Sequence, residues 1–244
     1  MKRGKFIVID GLDGIGKGVF LRALQEEAEK SGKKVFDIEK YWQENNEHPS
    51  VNEIIGKYDA VITAEPTFVE IGKYIREELI ARNGRNYSPQ TIAEAYALDR
   101  RILYERLLLP LLENGIDTYQ SRSLSTSIVY QRQSALDEGK EFSINDILKI
   151  PGNTFCHQYP MDFLIVPTLP DIQEVMRRLE SRKKDDNCIF EVSDFQLKVK
   201  EHYDSLEFRE IFESNGTQVI YMDAGKTVEF SKQQMRDFYQ QHLL

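Results

Sequence analysis

Short apolar runs alternate with helix-period stretches along the whole chain. Phe6–Ile9 and residues 60–63, 163–166 and 219–222 are continuous apolar or β-branched runs, and residues 35–38 are a further strand candidate interrupted only by Asp37. Runs of this kind form strands that are buried on both faces. Residues 116–119 are a weaker sixth candidate, polar for a central strand. Over Lys17–Lys30, the positions Leu21, Leu24 and Ala28 mark one helix face, and Gly32 ends it. Residues 71–81 form a second helix before Gly84. Ser88-Pro89 then supplies a capping serine and a first-turn proline for a helix that runs to Glu113, adjusts at Pro110 and closes at Gly115. Residues 125–136 are helical, and Ser143 caps a short helix that ends before Pro151-Gly152. Pro170 opens a helix to Ser181, Ser193 caps one to about Glu213, and Val228 begins the last. Residues 41–56, with Asn45-Asn46 and His48-Pro49, are polar and read as an irregular insertion or mobile loop. Strands separated by helices predict an α/β fold. Three layers are expected, a mainly parallel central sheet with helices on both faces, and ligands should gather beyond the carboxyl ends of the strands.

Just past the first run the chain reads Gly11-Leu12-Asp13-Gly14-Ile15-Gly16-Lys17-Gly18. This is a phosphate-binding loop between a strand and a helix. Its glycines let backbone N–H groups turn toward a polyphosphate, Lys17 reaches the β- and γ-phosphates, and the next helix aims its positive end at the same anion. Gly18 stands where the pattern has a serine or threonine that holds Mg²⁺. The ion is therefore held otherwise or the site is weak. Asp13 sits close to any bound phosphate. An unpaired carboxylate there would repel a nucleotide, so its partner is a metal ion or a hydroxyl; a turn-stabilising role is the competing reading.

Composition narrows the rest. The 244 residues suit one domain, or one with a small lid, and 41% hydrophobic and 30% charged residues are ordinary for a soluble globular protein. A net charge of −8, without a long basic patch, argues against a nucleic-acid surface. The apolar run behind the basic start is too short for a signal peptide, and no segment is long enough to span a membrane. Cys156 and Cys188 read as reduced thiols of a cytoplasmic protein.

Further motifs follow in order. Glu65-Pro66 precedes Ile71-Gly72 and Ile75-Arg76; Tyr96-Ala97-Leu98-Asp99-Arg100 lies on the long helix; Arg122 precedes Thr126-Ser127 and Tyr130-Gln131. Tyr159-Pro160-Met161-Asp162 leads into a strand, and Phe190-Glu191 into a helix. With the loop sequence, this series resembles the thymidylate kinases over about residues 5–223. The resemblance implies the P-loop kinase fold, a homodimer, and transfer of the ATP γ-phosphoryl group to dTMP with Mg²⁺. Residues 11–18 would cradle ATP, with Lys17 on the transferred group. Asp13 would contact the sugar or Mg²⁺, and Arg122 would clamp the acceptor phosphate. Tyr96 and Arg100, four apart on one helix face, would read the pyrimidine, and Ser127, Tyr130 and Gln131 would complete the pocket. The basic stretch from Arg178 to Lys184 falls at a lid over about residues 178–191, with Arg182 the lid arginine. Gly18, Ala64, Thr67-Phe68, Ser121 and Cys188-Ile189 depart from the family pattern, as does the 41–56 segment. They suggest a diverged member. Three rival readings stand beside this one. A deoxynucleoside kinase would use Glu65 as base, a catalytically impaired relative would only bind nucleotide, and a P-loop ATPase would need no acceptor.

Overall fold

A computed structural model describes residues 2–180 and 188–244. Six strands form one parallel sheet: β1 (Phe6–Ile9), β2 (Val35–Asp37), β3 (Ala60–Ala64), β4 (Asp117–Ser121), β5 (Phe163–Thr168) and β6 (Gln218–Asp223). Their spatial order is β2-β3-β4-β1-β5-β6. Every residue of β1 and β3 is buried, as strands covered on both faces require. The helix α1 (Lys17–Lys30) packs between this sheet and α13 (Val228–His242). β4, the weak candidate, is central. Its polar side chains are buried because they are used: Asp117 accepts from the Lys5 N–H at 2.7 Å and from the Lys33 ammonium at 2.6 Å.

Register sets the position of the site. Ile9 pairs with Ser121 and with Ile165, and Ala64 pairs with Ser121. Three strands therefore end level, and the residues that follow them, Asp10, Arg122 and Glu65, emerge side by side at one edge of the sheet. Beyond β3 come α3 (Glu70–Tyr74), continued by a π-helical turn over Ile75–Leu79, and α4 (Pro89–Leu103), which Ser88 caps by accepting from the Thr91 N–H. Another π-helical turn and α5 (Leu109–Glu113) complete the long helix through Pro110. After β4 come α6 (Leu124–Thr126), a π-helical turn over Ser127–Gln131 and α7 (Arg132–Asp137). A small apolar cluster of Ile75, Leu79, Ile92 and Tyr96 packs the helix after β3 against α4, apart from the main core.

Three sequence expectations need correction. Residues 41–56 are not irregular throughout. Asp37 accepts from the Lys40 N–H at 2.9 Å and caps α2 (Ile38–Asn45), whose Ile38 and Trp42 are buried, and Ser50 and Glu53 form a capping box around a short 3₁₀ turn. Pro151 does not only end α8 (Ile144–Lys149); it opens α9 (Pro151–His157) from the first helical position. The expected helix from Ser193 to Glu213 is two, α11 (Ser193–Tyr203) and α12 (Leu206–Glu213), because Ser205 turns its hydroxyl to cap Phe208. The remaining helix, α10 (Ile172–Glu180), follows β5 as expected.

Trp42 donates its indole N–H to His48 Nδ1 at 3.1 Å, and burial depresses the His48 pKa to about 4 against the weak pull of Glu70. The unfolded chain binds a proton near pH 6.5, whereas the folded chain does not until about pH 4. This histidine therefore costs no stability above pH 6.5 and progressively more as pH falls below it. Between pH 7.5 and 5.0 the wild type should lose about 2 kcal/mol relative to His48→Gln. Urea unfolding of both proteins at the two pH values checks this; parallel losses would refute it.

Candidate active site

The loop after β1 has the conformation that its glycines allow. Gly14 and Gly16 have φ of +81° and +102°, in the left-handed region where only glycine is unstrained. α1 begins at Lys17 with no side-chain cap, so its first N–H groups face outward as an anion site. Lys17 Nζ donates to the Gly11 and Leu12 carbonyls at 2.9 and 2.6 Å and lies 3.6 Å from the Asp13 carboxylate. A cavity of about 400 Å³ opens over this loop, lined by Gly14, Gly16, Lys17, Gly18, Arg22, Ser121, Arg122 and Arg178 together with Asp13. It combines a helix N-terminus with four cations and can accept a polyphosphate.

A second cavity of about 410 Å³ lies toward α3 and α4. Phe68, Tyr96, Tyr130 and Phe190 give it aromatic walls, and Arg76 and Arg122 its cations. Arg76 is fixed by its own neighbourhood. Its guanidinium stacks on the Phe68 ring at 3.8 Å and donates to the Pro66 and Thr67 carbonyls. Phe68 in turn packs on Trp42, with ring centroids 6.3 Å apart, so the 38–56 segment supports this wall. Burial raises the Tyr96 and Tyr130 phenols above their ordinary values, and both stay protonated donors at neutral pH. The Cys188 thiol also lines this cavity, and burial pushes it up to about 12. It is a neutral thiol there, not a nucleophile.

Asp13 and Arg122 line both cavities. Arg122 donates to the Asp13 carboxylate, lies 3.8 Å from Asp10 and covers the Tyr130 ring at 5.4 Å. Burial opposes its charge, but the Asp13 carboxylate, together with Tyr130, Asp10 and Tyr203, outweighs burial and holds the guanidinium protonated. Its backbone has φ of +67°, a conformation that costs an L-residue roughly 1–2 kcal/mol. The Tyr130 hydroxyl donates to Asp13 Oδ2 at 3.2 Å.

Behind the second cavity lies a buried polar network. Glu65 accepts from Arg100 Nε at 2.7 Å and from Gln120 Nε2 at 3.0 Å. Arg100 also donates to Asn153 Oδ1 and, at 3.0 Å, to the Ser127 hydroxyl. Arg100 and Ser127 are fully buried, and neither they nor Glu65 line the cavity. Gln131 is buried as well, with both amide atoms unpaired and away from the cavity lining. The structure thus brings together the loop residues 11–18 with Arg122, Tyr96 and Tyr130. It places Arg100, Glu65, Ser127 and Gln131 one layer behind. Arg182 lies outside the described residues, as does the middle half of the expected lid, residues 181–187.

The thymidylate kinase family model matches residues 53–235. The chain is 31% identical over 202 residues to a probable thymidylate kinase of Methanococcus maripaludis, covering 83% of this chain and 77% of the relative. It is 28% identical over 227 residues to one from Methanococcus vannielii (92% and 90% covered) and 29% identical over 215 residues to one from Thermococcus kodakarensis (85% of each). The chain belongs to the thymidylate kinase family. The matched family segment begins after the phosphate loop, but the longer alignments reach across nearly the whole chain.

Thymidylate kinases use a nucleotide donor with a divalent ion, and the residues here fit the two unequally. The loop, the α1 N-terminus and the cations suit the phosphates. Among the described residues the oxygen donors do not build a metal cage. Asp10 already accepts from the Gly11 N–H and from the Ser125 and Thr126 hydroxyls, Gly18 has no hydroxyl, and among the described residues no group of three acidic, histidine or cysteine side chains converges. A divalent ion would be held mainly by the phosphate oxygens and water, with the Asp13 carboxylate at the cavity lining beside them. Two site residues escaped the sequence reading. Arg76 was visible only as part of the Ile75-Arg76 pair. Gln196 gave no local signal, because its partners lie across the chain.

Proposed function

We infer that the protein is a nucleoside monophosphate kinase that transfers the γ-phosphoryl group of ATP to dTMP, giving ADP and dTDP. The observation that carries this reading is the pair of cavities of nearly equal volume that meet at Asp13 and Arg122. One is built for a polyphosphate. The other is built for an aromatic base and a single phosphate. Lys17 and the N–H groups of the loop hold the donor phosphates. Arg76 and Arg122 hold the acceptor phosphate, and Phe68 and Tyr96 flank the base. Arg122, at the junction, neutralises charge on the group in transit. The acceptor phosphate is already anionic near neutral pH, so positioning and charge neutralisation supply the rate without a side-chain base. Mg²⁺ enters with ATP. A homodimer through the long helix and a cytoplasmic location belong to the same reading; among the described residues no helix is long and apolar enough to cross a membrane.

The deoxynucleoside kinase alternative loses its base. Glu65 is fully buried, paired with Arg100 and outside the cavity lining. A coupled ADP-release assay with ATP and Mg²⁺ tests the reading by comparing dTMP, dUMP, other monophosphates, thymidine and no acceptor. Turnover stimulated most by dTMP is expected. Stimulation by thymidine, or equal turnover without acceptor, would overturn it.

A further inference from the structure

Gln196, on α11, is fully buried and touches three separate parts of the site. Its Oε1 accepts from the Asp13 backbone N–H at 3.1 Å and lies 3.5 Å from the Tyr130 hydroxyl. Its Nε2 donates to the Phe190 carbonyl at 2.9 Å and to Asp13 Oδ2 at 3.4 Å. One amide thus ties the phosphate loop to the Cys188–Glu191 segment. That segment is itself fixed to the acceptor wall, where Ile189 N–H donates to the Ile80 carbonyl at 3.0 Å and Arg82 to the Glu191 carbonyl at 3.1 Å.

We propose that Gln196 is a positioning residue for phosphoryl transfer: it sets the Asp13 backbone and carboxylate, and through Asp13 the Arg122 guanidinium, at the junction of the two cavities. The inference rests on the kinase reading above. An amide suits the task because it needs both an acceptor for the Asp13 N–H and a donor for the Asp13 carboxylate and the Phe190 carbonyl. A carboxylate of the same length keeps only the acceptor and adds like charge beside Asp13. Gln196 does not line either cavity, so its effect reaches the substrates only through its neighbours.

The test compares steady-state kinetics of wild type, Gln196→Leu, Gln196→Glu and Val199→Ala. The last variant loosens the buried packing of the same helix at a residue that lines neither cavity. Gln196→Leu should lower kcat by about 10²-fold, the cost of a small misplacement at a reacting centre, while the KM values for ATP and dTMP change little. Gln196→Glu should be impaired at pH 8 and regain activity as pH falls and the new carboxyl takes a proton, a profile absent from the other three proteins. Val199→Ala should lose thermal stability and keep kcat. Wild-type turnover of dTMP with kcat unchanged in both Gln196 variants, or lowered no more than in Val199→Ala, would overturn the positioning role alone. A wild type silent with dTMP would overturn the kinase reading and the positioning role with it.

Discussion

Arg122→Ala is expected to lower kcat by about 10³-fold, the effect of removing a guanidinium from a phosphoryl group in transit. Among the described residues Arg122 is the one cation that lines both cavities, since Arg76 lines only the acceptor cavity and Lys17, Arg22 and Arg178 only the donor cavity. Loss of Arg76 should therefore appear mainly in the KM for the acceptor, whereas loss of Arg122 should appear in kcat. Alanine at position 122 also inherits a left-handed backbone, which raises the question of strain. Arg122→Gly answers it. Glycine adopts φ of +67° freely, so Arg122→Gly should be about 1 kcal/mol more stable than Arg122→Ala and equally inactive. Arg122→Lys keeps the charge but not the planar fork that meets Asp13 and a phosphate together, and should recover only part of the rate. Steady-state kinetics with ATP and dTMP, paired with thermal unfolding, separates these outcomes. An active Arg122→Gly protein would show that the arginine mattered for its backbone and not for its charge.

The sequence made most of this fold legible because the strands are short apolar runs and the helices begin at visible caps. Ser88-Pro89 and the Gly11–Gly18 loop are local signals, readable without knowledge of any partner. α2 was not legible for a physical reason: its buried face holds only Ile38 and Trp42, its other residues are polar, and its cap, Asp37, is also the last residue of β2. The π-helical turns at Tyr104–Leu108 and Ser127–Gln131 shift which side chains face inward, and no periodicity announces such a shift. In the site, Asp13 and Lys17 on the loop and Arg122 after β4 line the cavities, whereas Glu65 after β3 does not. Tyr96 and Arg100 share a helix face, as their spacing requires, but Tyr96 meets the cavity while Arg100 is drawn behind the wall by Glu65, Asn153 and Ser127. A buried carboxylate at the end of β3, 35 residues back in the chain, decides that outcome, and nothing in residues 96–100 encodes it. Gln196 is the opposite case, an unremarkable position in the chain that becomes central because its partners at Asp13, Tyr130 and Phe190 converge only on folding.

Arg100→Met should destabilise the protein by about 3–5 kcal/mol, the usual cost of removing one partner of a buried ion pair. At the size of this chain that corresponds to a fall in Tm of roughly 10 °C. Methionine fills much of the arginine stem's space, so the loss comes from Glu65, left in the interior with Gln120 as its remaining partner. Burial already raises the Glu65 pKa to about 7, even with the Arg100 guanidinium beside it. Between pH 4.5 and about 7 the folded chain therefore retains a proton that the unfolded chain has released, and stability falls as pH rises through that window. Without Arg100 the folded pKa rises further, so the window extends upward and the Arg100→Met deficit should be larger at pH 8 than at pH 6. The double variant Arg100→Met/Glu65→Leu removes both charges from the interior and should regain most of the loss, the behaviour of a buried pair replaced by apolar packing. Thermal or urea unfolding of the three proteins at both pH values measures each term. If Arg100 instead reads the base, as the family resemblance implied, Arg100→Met would leave stability near wild type and change the ratio of kcat/KM between dTMP and other monophosphates. That pattern would place the guanidinium in the acceptor cavity rather than behind it.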